Sequence, residues 1–97
     1  MDFVVGIFEW DVEKERGNVE KHGVDFLMAM QAFLDEERLI ATDELHSERE
    51  PRFFCVGQAK GQVLTVRFTR RGRRIRILGA GYWRKGRALY EKANSKR

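Results

Sequence analysis

Apolar side chains recur along this chain with two different periods, and the switches between them predict its elements. Residues 3–10, Phe-Val-Val-Gly-Ile-Phe-Glu-Trp, are rich in β-branched and aromatic types and predict a strand. Asp11 then offers the N-cap of a mostly charged helix from about Val12 to His22. Gly17 weakens that helix by on the order of 1 kcal/mol, so it needs tertiary support. Lys21 and His22 complement the negative end of its dipole, and Gly23 can close it in the left-handed conformation. From Val24 to Leu34, Phe26, Leu27, Met30, Phe33 and Leu34 return at helical spacing, with Met28 and Ala29 widening the apolar face. This predicts the helix that lies buried against the sheet.

Four more β segments follow, Arg38–Thr42, Arg52–Ala59, Val63–Thr69 and Arg73–Leu78. The short turns Lys60-Gly61 and Arg71-Gly72 imply an antiparallel meander. A final helix over Tyr82–Ala93 sets Trp83 and Tyr90 on one side, and residues 94–97 are expected to fray. Alternation sorts the β segments into faces. Leu64, Val66, Phe68, Ile75 and Ile77 fall on one side; Val63, Thr65, Thr69 and the cations Arg67, Arg74 and Arg76 fall on the other. If the apolar set covers the buried helix, the three arginines emerge as a row on the open face.

Length then limits the architecture. Ninety-seven residues support one core, so the whole chain, residues 1–97, reads as a single domain. With 42% apolar and 35% charged residues it is too hydrophobic for disorder and too charged for a membrane protein. The one cysteine, Cys55, precludes a disulfide framework and suits a reducing compartment. The N-terminus lacks the pattern of a secretory signal, and no span approaches transmembrane length, so a cytoplasmic location without membrane contact is expected.

Charge changes the picture most. Residues 1–50 carry 14 acids against 5 bases, whereas residues 51–97 carry 1 acid against 14 bases, so halves of −9 and +13 sit behind a net +4. A basic block of this kind gathers polyanions or receives an acidic protein partner. Cys55, His22 and His46 have no metal-ligand spacing, and Gly79, Gly81 and Gly86 match neither phosphate-binding fingerprint, so no metal and no cofactor is expected. The remaining inventory suits cleavage of RNA, in which a 2′-hydroxyl attacks the adjacent phosphate. That reaction needs a base, an acid and cations for the charge growing on phosphorus. Imidazoles titrate near neutrality, which makes His22 and His46 candidates for proton transfer, with Lys21 and Glu48 beside them. Arg52, Arg67, Arg74 and Arg76 offer bidentate phosphate donors. The same residues have simpler readings: Lys21-His22 as a helix terminus, His46-Ser47-Glu48 as a solvated loop, and both tryptophans as core.

The order of Phe8-Glu9-Trp10-Asp11, Lys14, Asn18, Lys21-His22-Gly23-Val24, Phe26, Ala29, Phe33, His46-Ser47-Glu48, Arg52, Gly57 and Ile75-Arg76-Ile77 resembles the BrnT toxin family from about Phe8 to Glu91. The resemblance implies a RelE-like α+β fold: an antiparallel sheet of about four to five strands, two N-terminal helices on one face and a C-terminal helix. It also implies a ribonuclease toxin of a type II toxin–antitoxin pair, a BrnA-like antitoxin, and operator DNA reached only through the antitoxin complex. Many members carry Ser-Ala-Arg after the last strand where this chain has Gly79-Ala80-Gly81. Arg84 or Lys85 can restore a cation there. The competing reading is a non-catalytic basic module that docks an antitoxin or DNA-binding partner in a regulatory complex, and Gly81 is its best support.

Overall fold

The computed structural model describes residues 1–95. Its N-terminal apolar run folds as a hairpin and not as the single strand expected. Strands β1 (Asp2–Val5) and β2 (Phe8–Asp11) pair antiparallel across a turn in which Gly6 has φ of 60°. That left-handed value suits a residue without Cβ. Asp11 caps helix α1 (Val12–His22) by accepting from the Lys14 amide, and Gly23, at φ 69°, closes it with its N–H on the Val19 carbonyl. Helix α2 (Phe26–Ala32) starts at Asp25, whose carboxylate accepts from the Met28 amide.

Strand β3 (Leu39–Thr42), a 3-10 turn at Glu44–His46, β4 (Arg52–Ala59), β5 (Gln62–Arg71) and β6 (Arg74–Gly81) follow, and helix α3 (Arg84–Asn94) ends the described chain. Strands β3 to β6 form the expected antiparallel meander. The sheet order is β1-β2-β6-β5-β4-β3, giving six strands where four to five were expected. The β2–β6 pair is parallel and short, Phe8 against Ile75 and Glu9 against Arg76.

Helices α1 and α2 lie on the face carrying Leu64, Val66, Phe68 and Ile77, all buried with Trp10, Phe26, Ala29 and Ala32 in one core. Burying a side chain such as Phe26 is worth roughly 1.5–3 kcal/mol. Leu27 and Leu34, placed on the apolar face by spacing, are instead exposed, because α2 approaches the sheet through its alanines. The thiol of Cys55 is pushed up to about 12 by burial, so it stays protonated and unreactive at neutral pH.

The opposite face is only half open. Helix α3 packs across β5 and β4 there, with Gly86 directly on Thr65, where any Cβ would collide with the threonine hydroxyl. The end of α3 is tied back by Tyr90, whose hydroxyl donates to Asp35 at 2.6 Å, and by Asn94, whose amide donates to the Glu37 carbonyl. Burial pushes the Asp35 carboxyl up, but the donors Tyr90, Gln58 N–H and Glu37 N–H outweigh it and leave the group below its usual range. Asn94 thus belongs to α3, while Lys96 and Arg97 lie outside the described residues. No described helix is long and apolar enough to cross a membrane.

Candidate functional site

Register fixes what stands on the partly open face. One row across the sheet holds Arg52, Thr69, Arg76 and Glu9, and the next holds Phe54, Arg67 and Gly79. Arg52 and Arg67 are diagonal neighbours, about 7–8 Å apart by strand geometry. A bulge in β6 lies between these rows.

The expected row of arginines is divided by its partners. Arg76 donates to Glu9 at 2.6 Å and to both oxygens of Asp2 at 2.9 Å, with only 12% of its side chain exposed. The Asp2 and Glu9 hydrogen bonds raise the pKa of Arg76 still further, and the Arg76 hydrogen bond holds Asp2 below the usual carboxylate range. Arg74 reaches Glu9 at 4.0 Å, and Arg52 and Arg71 share Glu50 at 3.7 and 3.6 Å. Arg67 has no carboxylate partner among the described residues.

Arg67 is held differently. Its guanidinium packs against Gly79, where a Cβ would come within 2.7 Å of Nη2, and stands 5.8 Å from the Trp83 ring centroid. Trp83 in turn lies on Gly81, where a Cβ would meet the indole at 2.5 Å. The two glycines therefore make room for an arginine and a tryptophan in contact, a favourable cation–π arrangement. The buried Nε of Arg67 has no acceptor, and neither has the Nε of Arg52. Those Nε atoms are buried and closed to a ligand, so the cradle that the diagonal pair offers an oxyanion is made of the outer guanidinium nitrogens.

The expected proton-transfer residues fall in two places beside this cradle. His22 ends α1, exposed next to Lys21, and its ring meets Trp83 edge to face at 5.3 Å. Its position depends on Asn18, one turn earlier. The Asn18 amide accepts from Ala80 N–H and donates to the carbonyls of Ala80 and Val24. Strand β2 pairs with β6 only at Ile75 and Arg76, so Asn18 serves the free edge of β6 as a strand otherwise would.

His46 lies in the loop between β3 and β4. Its Nδ1 is 2.9 Å from the carboxylate of Asp43, which is 6% exposed, while the imidazole is 54% exposed. Ser47 fixes the same loop: its hydroxyl donates to the Asp43 carbonyl at 2.6 Å and accepts from Arg52 N–H at 2.9 Å. In neutral His46 this arrangement favours the proton on Nδ1, leaving Nε2 as an acceptor facing solvent. Glu48 follows in that loop, exposed. Among the described residues no hydrogen bond, ion pair or ring contact joins His22 to His46, and Arg84 and Lys85 begin α3 beside Trp83, both exposed.

Sequence reasoning missed Asp43, Asn18 and Trp83 as site residues. Asp43 precedes His46 by three positions, one helical turn, and that spacing was its available signal. The family model described as the ribonuclease toxin BrnT of a type II toxin-antitoxin system matches residues 10–86, a span that contains every group described here except the acidic partners of β1 and β2. No curated protein matches the chain.

Proposed function

The chain belongs to the BrnT family of type II toxin–antitoxin ribonuclease toxins, and on that premise we propose that it is a metal-independent endoribonuclease. It cleaves RNA in the cytoplasm to inhibit translation and is neutralised by a cognate BrnA-like antitoxin. The observation that carries this reading is the cradle of Arg67 and Arg52. Arg67 stands there without a carboxylate partner among the described residues, diagonal to Arg52; the loop that carries the carboxylate-oriented His46 leads into Arg52, and His22 meets Trp83 beside Arg67.

In this mechanism a phosphodiester sits against Arg67 and Arg52, with Arg74, Arg84 and Lys85 guiding the flanking backbone. Nε2 of His46 takes the proton of the 2′-hydroxyl, and the 2′-oxygen forms its bond to phosphorus. The P–O5′ bond breaks, and His22 or Lys21 supplies the proton to the leaving 5′-oxygen. The products are a 2′,3′-cyclic phosphate and a 5′-hydroxyl. Asp43 stabilises the imidazolium that forms on His46, as a buried carboxylate does in other histidine-dependent sites. Glu48, in the same loop, is the second candidate base. Arg76 acts through its ion pairs, holding β1 and β2 against β6, and adds its charge to the field.

The test is to incubate the purified chain and its D43N form with a mixed-sequence RNA and to follow chain cleavage and end groups. An amide in place of the Asp43 carboxylate would favour the other imidazole tautomer. Wild type is expected to yield cyclic phosphate ends, and D43N should lower kcat by about 10²–10⁴, the range of a positioned acid–base group, with KM nearly unchanged. Intact RNA with the wild-type chain would overturn the ribonuclease reading. Equal kcat for the two forms would remove His46 from the role of base.

A further inference from the structure

Beside the cradle, between β3 and α3, runs an apolar groove of about 450 Å³ whose walls include Leu39, Ala41, Phe54, Val56, Trp83 and Leu89. It continues past Leu39 and Leu89 into a second hollow of about 410 Å³ bordered by Lys92 and Ala93. Lys85 and Lys92 stand along its helical side, exposed and with no carboxylate partner among the described residues. Strand β3 is the last of the sheet, so the outer edge of this wall has no strand beside it. Ile40 and Leu89, 53% and 47% exposed, extend the apolar surface at the mouth. Monomers rarely leave a contiguous apolar surface of this kind facing water without a partner for it.

We propose that this groove receives the neutralising segment of the antitoxin, a peptide stretch that carries apolar side chains flanked by carboxylates. The proposal rests on the toxin–antitoxin reading and adds where and by what chemistry the partner binds. The walls are mainly apolar and offer few groups that could pair with base edges, so apolar protein side chains fit them better than nucleotides. A second copy of the chain fits poorly, because a twofold contact would bring the same lysine-bearing rim against itself. An acidic segment instead meets Lys85 and Lys92 while its apolar residues fill the hollow.

Trp83 gives this docking a consequence. It is a wall of the groove and also the contact of Arg67 and His22. A segment seated against Trp83 lies at the border of the phosphate cradle. Its carboxylates then compete with RNA for the same cations, so one docking event both anchors the antitoxin and closes the site.

The experiment measures calorimetric affinity of the co-purifying cognate antitoxin, after separation and refolding of the complex, for wild type, L89E, K92E and L34E. RNA cleavage, self-association and melting temperature are measured in parallel. L89E places a carboxylate in the apolar wall and should weaken antitoxin binding at least a hundredfold while free L89E still cleaves RNA. K92E should weaken it about tenfold, with a smaller dependence on salt. L34E, at an exposed residue that lines neither hollow, should leave it unchanged. Wild-type affinity in both L89E and K92E would overturn the proposal, as would loss of RNA binding or of a dimer in L89E with antitoxin binding intact. Should L89E fail to fold, K92E decides. A wild-type chain that cleaves no RNA, yet loses antitoxin through L89E, would sink the ribonuclease reading and leave the groove assignment standing.

Discussion

Gly81 and Trp83 are a matched pair, and the match explains why no arginine stands at position 81. The indole occupies the space where any side chain at 81 would begin, and the cation of this region comes from Arg67 on the neighbouring strand. Gly81→Ala should therefore destabilise the fold by about 1–3 kcal/mol through overpacking. In a Trp83→Ala background the same change should cost less than half as much. Urea unfolding of the four chains measures this coupling, and additive losses would show that the indole is not what excludes a side chain at 81. The sequence identified Arg67, His22 and His46 as candidates because residue type and alternation are local properties. It could not identify their partners. Asp2 and Glu9 meet Arg76 across more than 60 positions of chain, and the burial of Asp43 is set by strands on both sides of its loop.

At the scale of elements, Asn18 decides how α1 meets the sheet. On a helix of charged residues it reads as one more solvated position, yet it is buried and bonds three backbone groups. Asn18→Ala would leave the N–H and C=O of Ala80 and the carbonyl of Val24 without partners. Each buried unmet group costs about 1–3 kcal/mol. The melting temperature should fall, and hydrogen exchange at the Ala80 amide should rise well beyond that of amides in β4. Unchanged exchange at Ala80 would mean that water or backbone replaces the side chain. This contact also bounds what could be read beforehand. The limits of α1 were legible, since Asp11 and Gly23 act within one turn of their own positions. The face of β5 was legible too, because Leu64, Val66 and Phe68 alternate strictly. The N-terminal hairpin was not, since apolar residues on both sides of Gly6 mask the reversal. The parallel β2–β6 pair was also hidden, because no local pattern names a partner strand that distant.

For the molecule as a whole, the fold partly undoes the charge separation of the sequence. Asp2, Glu9 and Glu50 from the acidic half fold back onto Arg76, Arg74, Arg52 and Arg71 of the basic half. The field available to a polyanion is thus smaller than −9 and +13 suggest, and under the proposed function the strongest direct contacts fall to arginines without acid partners. Arg67 should be foremost among them. A 2′-O-methyl RNA, which cannot cleave, separates binding from chemistry. Its affinity for wild type should fall with salt, each phosphate contact contributing roughly 0.7 to the slope of log K against log salt. Arg67→Ala should reduce that slope by about one contact. Lys60→Ala removes the same charge at the tip of the β4–β5 hairpin, where the turn Lys60-Gly61 projects away from the cradle. It should weaken binding slightly and leave the slope unchanged. Equal changes in slope would mean that RNA follows the overall field and is not gripped at Arg67, and the cradle would then lose its assigned place in the mechanism.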